Sequence, residues 1–220
     1  MENDAKEIAI SVAKGIAKVL VSSIPTVGPI MTSVYSEVVT VALQKRRENW
    51  ERSIEDRLEA IEDSKIVDKL VGNESFVTCL VQATMQAMQT HQEEKYKLLA
   101  NAVANSIDSE LSEDKKQIFL RWIERYSDLH IQILTFLNDP VSFLFRAGIL
   151  PRNSSEHLSL KQAIEAVYPE KRQDEDLITV IIRDLYSDGL INSKGTNLND
   201  FVKKGFTTQI AKEFLGFISD

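Results

Sequence analysis

Residues 43–61 read Leu-Gln-Lys-Arg-Arg-Glu-Asn-Trp-Glu-Arg-Ser-Ile-Glu-Asp-Arg-Leu-Glu-Ala-Ile. The large apolar residues are Leu43, Trp50, Ile54, Leu58 and Ile61, and almost everything between them is charged or polar. Steps of seven, four, four and three residues return to one side of a helix with 3.6 residues per turn. A seam this narrow is what a helix shows when it packs on another helix. No glycine or proline interrupts it. The stretch predicts a mainly helical protein that begins with a bundle of long helices.

Working backward, residues 27–43 (VGPIMTSVYSEVVTVAL) contain one charge, Glu37. Pro29 suits the first turn of a helix, so one helix is expected from about 29 to 63. The run Ser22-Ser23-Ile24-Pro25-Thr26-Val27-Gly28-Pro29 forces a turn before it. Residues 5–24 place Ile8, Val12, Ile16, Val19 and Leu20 at helical spacing, with Lys6, Lys14 and Lys18 among them. An apolar hairpin over 5–63 follows. Neither arm has the roughly 20 uncharged residues of a membrane span. The face of Ile8, Val12, Ile16, Val19 and Leu20 is instead a candidate for a partner, a second copy or a membrane surface.

Working forward, a short helix is expected at 64–71, closed by Gly72, and a long one over 74–107. Phe76, Leu80, Val81, Met88, Leu98, Leu99, Ala102, Val103 and Ile107 mark its buried side. Ser112-Glu113-Asp114 opens the next helix with a cap and two acids in the first turn. From residue 127 the elements shorten and turns become denser. The expected domains are therefore 1–126, a helical bundle, and 127–220.

In the second domain, Ser159 is placed to cap a helix at 160–167 that Pro169 closes, and 174–187 forms another. Leu185-Tyr186-Ser187-Asp188-Gly189-Leu190-Ile191, then a polar loop, then Phe206-Thr207-Thr208-Gln209-Ile210-Ala211-Lys212-Glu213-Phe214-Leu215 resembles bacterial winged-helix domains. There a helix stops at Gly-Leu-Ile, a wing follows, and a Thr step starts the last helix. The resemblance implies a winged-helix-like domain with a short two-stranded wing. Ile210-Ala211 departs from the small residue usual after the Thr step.

A DNA-reading role is the alternative that this resemblance carries. Its candidate contacts are Lys171, Arg172, Arg183, Lys194, Lys203 and Lys204. The helix that would enter the groove carries Asp174, Glu175, Asp176 and Asp184 against Arg183 alone, and acids there repel phosphate. The formal net charge is −7. The composition disfavours nucleic acid as the partner.

Nothing in the sequence forms a catalytic, cofactor-binding or metal-binding constellation, and a non-enzymatic protein is expected. His91, His130 and His157 have no metal-ligand spacing; His91 has Glu94 three residues on, and His130 opens an apolar helix as a packing residue. Cys79, the one cysteine, sits beside Leu80 on an apolar face and reads as a buried thiol. A lone cysteine and a polar, acid-containing N-terminus lead us to expect a cytoplasmic protein, with the membrane as a further address.

Residues 93–108, EEKYKLLANAVANSID, resemble a segment shared by Abi-alpha proteins, helical bacterial proteins associated with abortive infection. Ser127-Asp128-Leu129-His130-Ile131-Gln132-Ile133-Leu134 matches the step that follows in that family. The resemblance is closest over 93–137 and looser over 75–215. It implies a non-enzymatic part in phage defence and carries over no catalytic residue. In physical terms, Ala100 and Ala104 let another helix approach closely. Asn101 and Asn105 form a second i,i+4 pair, able to hydrogen-bond across that contact or to each other. A protein partner or a homo-oligomer is expected.

Overall fold

Trp50, Ile54 and Leu58 are buried, and Leu43 and Ile61 half-buried, so the seam over 43–61 faces the interior as its spacing requires. The structure is a computed structural model that describes residues 11, 15, 18, 33–61, 69, 73–107, 110–148, 160–169, 175–192 and 206–220. The described chain is mainly helical and divides into two compact units, Met1–Arg125 with Phe217–Asp220, and Tyr126–Gly216. Of the expected helix at 5–24, only Ser11, Gly15 and Lys18 are described, each helical; the turn at 22–29 and all of 64–71 except Lys69 lie outside the described residues.

The first unit contains α1 (Ser33–Glu59), α2 (Glu74–Gln89), α3 (Glu93–Asn105) and α4 (Glu113–Arg125). Helix α3 packs against α1, α2 and α4. The core between them joins Trp50, Ile54 and Leu58 to Phe76, Leu80, Ala83, Tyr96, Leu99, Val103, Phe119 and Ile123. The indole N–H of Trp50 donates to Thr84 Oγ1 at 3.1 Å, which satisfies the polar end of the largest buried ring. Helix α1 ends at Glu59, earlier than residue 63. Asn73 caps α2 by accepting from the Phe76 amide at 2.9 Å. Ser112 Oγ lies 3.4 Å from the Lys115 amide at the start of α4.

The single helix expected over 74–107 is two helices. The break falls at Thr90-His91-Gln92, where Thr90 is extended (φ −108°, ψ 161°). Side chains take up the backbone groups that a continuous helix would have paired. Arg46 Nη1 donates to the Met88 carbonyl at 2.8 Å, and the Tyr96 hydroxyl donates to the Thr90 carbonyl at 2.8 Å. The Gln92 amide donates to Thr90 Oγ1 at 3.2 Å. A β-branched hydroxyl residue with these substitutes at hand gives up the helix locally. His91 is thereby exposed in the break and not on a helix.

The second unit contains α5 (Asp128–Asn138), α6 (Pro140–Arg146), α7 (Leu160–Val167), α8 (Glu175–Ser187) and the first part of α9 (Gln209–Ile218). Helix α6 is an addition to the elements expected from the sequence. Asp139 starts it by accepting from the Ser142 amide at 3.2 Å, with Pro140 in the first turn. Helix α8 stops at Gly189, whose φ is +73°. The Leu190 amide donates to the Leu185 carbonyl at 2.9 Å and the Gly189 amide to the Tyr186 carbonyl at 3.0 Å, a Schellman closure. Thr208 begins α9. Its hydroxyl donates to the Gly189 carbonyl at 2.8 Å and accepts from the Ala211 amide at 3.3 Å. The expected two-stranded wing is not seen. The described residues hold one antiparallel bridge, Ile191 with Thr207, and 193–205 lies outside them.

Candidate functional site

Asn101 and Asn105, one turn apart on α3, face the chain's last residues. Asn101 Nδ2 donates to the Ile218 carbonyl at 3.0 Å and to Asp220 Oδ1 at 3.2 Å. Asn105 Nδ2 donates to the carbonyls of Phe217 at 3.1 Å and Ser219 at 2.8 Å. On the other side, Arg57 of α1 donates from Nε to Asn101 Oδ1 at 2.8 Å and from Nη2 to Asn105 Oδ1 at 3.3 Å. A guanidinium only donates and a carbonyl only accepts, so both amides have one sensible orientation. The carbonyls at the end of α9 have no partner within their own helix, and the two asparagines supply donors for them. Ala100 and Ala104, beside them, are buried.

A second polar cluster lies inside the first unit, and none of its residues is a candidate from the sequence. Lys116 is buried, and its Nζ donates to Ser75 Oγ at 2.6 Å and to the Ser106 carbonyl at 3.4 Å, with Glu113 Oε1 also at 3.4 Å. The signal that could have found it is spacing: Lys116 shares the apolar row of Phe119 and Ile123. The Lys116 side chain thereby ties α2, the end of α3 and α4 together. Cys79 is buried nearby, its Sγ 3.7 Å from the Ala102 carbonyl. Burial pushes its thiol up to about 12. Burial also pushes the Tyr96 hydroxyl up and Lys95 down, while the Ser142 hydroxyl and amide hold the Asp139 carboxyl below its usual range.

In the second unit, His130 sits in a capping box. Its Nδ1 accepts from the Ser127 amide at 3.2 Å and lies 2.8 Å from Ser127 Oγ, which leaves the neutral ring's proton on Nε2, 3.7 Å from Asp184 Oδ2. Its ring stacks on Tyr126 at 4.9 Å, and the Tyr126 hydroxyl donates to Asp188. Ser127 and His130 are thus engaged at the start of α5. Among the described residues, no three His, Cys, Asp or Glu side chains converge where they could hold a metal ion.

Of the six candidate nucleic-acid contacts, Lys171, Arg172, Lys194, Lys203 and Lys204 lie outside the described residues. Arg183 is exposed on α8, 3.8 Å from the Asp184 carboxylate. The same helix exposes Asp176, Leu177, Thr179, Val180 and Tyr186, a largely apolar surface. Ile8, Val12, Ile16, Val19 and Leu20 lie outside the described residues. The apolar run that follows them does reach the described part of α1, where Val38 and Val41 are each 65% exposed. Among the described residues no helix is long and apolar enough to cross a membrane. Comparison with known protein families, curated proteins and solved structures gives no match.

Proposed function

We propose that this chain is a non-enzymatic interaction or effector component of a bacterial anti-phage system of the abortive-infection type. It acts in the cytoplasm through helical association, with the membrane surface as a further address. The resemblance of residues 93–108 to the Abi-alpha segment supplies the biological context. The observation that carries the mode of action is the front of α1. Two valines 65% exposed on a helix with almost no charge before Lys45 form a surface suited to a protein partner. Expression of the chain in a bacterial host challenged with a panel of phages tests the reading. A fall in plating efficiency supports it, and unchanged titres across the panel reject it.

The second reading is a winged-helix DNA-binding regulator. The Gly189 stop, the Ile191–Thr207 bridge and the Thr208 start of α9 favour the fold. The exposed Asp176, Leu177 and Val180 on α8 favour a protein contact over a phosphate backbone. A gel shift in low salt separates the two: retardation of duplex DNA by the full chain sustains the regulator, and free duplex at excess protein removes it.

A further inference from the structure

From Glu37 to Asn49 no residue of α1 is buried, and the next residue, Trp50, is. This half of the helix is nevertheless the apolar one, with Val38, Val39, Val41, Ala42 and Leu43. An exposed helix in water carries charges on its outer face; an exposed apolar one has a partner to find. Glu37, Val38, Val41, Gln44, Lys45 and Glu48 fall on one side by helical spacing, and all are exposed.

The charges on this face select the partner. Glu37 lies four residues before Val41 and Lys45 four residues after it. Among the described residues neither has an ion-pair partner. In a two-fold interface, residue i meets j and j meets i. Two α1 helices crossing antiparallel at Val41 set Val41 against Val41 and Val38 against Gln44. They also set Glu37 against Lys45, twice. Parallel pairing would set Glu37 against Glu37 and Lys45 against Lys45. We infer that the front of α1 is a self-docking surface, on which a second copy of this chain packs antiparallel with its two-fold axis at Val41. This rests on the reading of the chain as an interaction component and names the partner. About three helical turns from each copy make a small contact, so the dimer is weak, with a Kd on the order of 10 µM.

Charge exchange tests it on the full chain by sedimentation velocity over a concentration series. Glu37→Lys moves the net charge from −7 to −5 and Lys45→Glu moves it to −9. Any general charge effect therefore shifts the two variants in opposite directions. Antiparallel docking instead weakens both, by roughly tenfold in Kd, because each creates two like-charge pairs. An equimolar mixture of the two variants regains the dimer, since each new lysine then faces a native lysine's replacement, a glutamate. The substituted sites are exposed, and unchanged melting temperatures show that the fold is intact. Oxidation of a Val41→Cys variant adds a geometric reading, because native Cys79 is buried: a disulfide-linked dimer is expected. A concentration-independent monomer up to about 100 µM, well above the expected Kd range, overturns the inference, as do opposite shifts of the two charge variants. It also fails if the introduced thiol is shielded within a monomer, which would make the chain's own residues the occupant. Phage protection that persists without any dimer would remove self-docking and leave the functional reading standing.

Discussion

Arg57 donates to Asn101 Oδ1 at 2.8 Å and thereby decides which end of the amide meets the chain's last residues. One arginine on α1 orients two asparagines on α3. Their four N–H bonds then go to three carbonyls and one carboxylate of Phe217–Asp220. Segments far apart in sequence are joined here, by three bonds from side chain to backbone and three between side chains, within a single compact unit.

Replacing Asn101 with Ala leaves Ile218 and Arg57 short of a partner in a largely buried setting, at an expected cost of about 1–3 kcal/mol. Asn101→Asp keeps the shape but turns an oxygen toward the Ile218 carbonyl and the Asp220 carboxylate. It should cost more at pH 7 than at pH 4, where protonation restores a donor. Urea unfolding at the two pH values checks both statements. An Asn101→Asp variant as stable as the native chain at pH 7 contradicts the arrangement.

The two halves of α1 should answer mutation differently. Trp50→Ala opens a cavity and strands Thr84, with an expected loss of roughly 3–5 kcal/mol. Val38→Ser, on the exposed front, should move stability by about 0.5 kcal/mol or less. Thermal unfolding of the two variants gives the comparison, and a large loss from Val38→Ser would mean that the front is packed.

Cys79 gives a pH signature. Its proton is held in the fold up to about 12, whereas an unfolded chain releases it near 9. Above pH 9 the unfolded state binds fewer protons than the native one, so stability falls as pH rises from 9 toward 12. Below pH 9 both states hold the proton and this contribution is fully present. Cys79→Val removes the group, and its stability should decline less steeply over that window in denaturant titrations. Parallel curves for the two proteins would show that the thiol is not sequestered.

At Gly189 the backbone sits at φ +73°, and a Cβ built there meets nothing within 4 Å. The cost of a side chain is then purely conformational. Gly189→Ala should lose about 1–2 kcal/mol and Gly189→Asn less, because Asn tolerates the left-handed region better. Equal losses for the two would point to a steric cause instead.

Local signals are legible in the sequence. The spacing of Trp50, Ile54 and Leu58 locates a buried seam, and the glycine after Asp188 locates the end of α8. The serine before Glu113 and the threonine before Gln209 locate two helix starts. What escapes are features set by distant residues. The break at Thr90 depends on Arg46 and Tyr96 replacing helix bonds, and nothing in the run from Glu74 to Ile107 announces it. The asparagine pair on α3 is readable as a contact, but its partners at the end of α9 lie more than a hundred residues along the chain. Lys116 shares the row of Phe119 and Ile123, yet a lysine is rarely buried. The oxygens that make its burial tolerable come from Ser75, Ser106 and Glu113 together, and no local pattern links those three.

Whether this protein works through the front of α1 is tested most directly by phage plating efficiency on cells expressing the native chain or a Val38→Asp, Val41→Asp variant. The expected result is protection by the native chain and none by the variant, at equal expression and equal melting temperature. Equal protection by both contradicts the account.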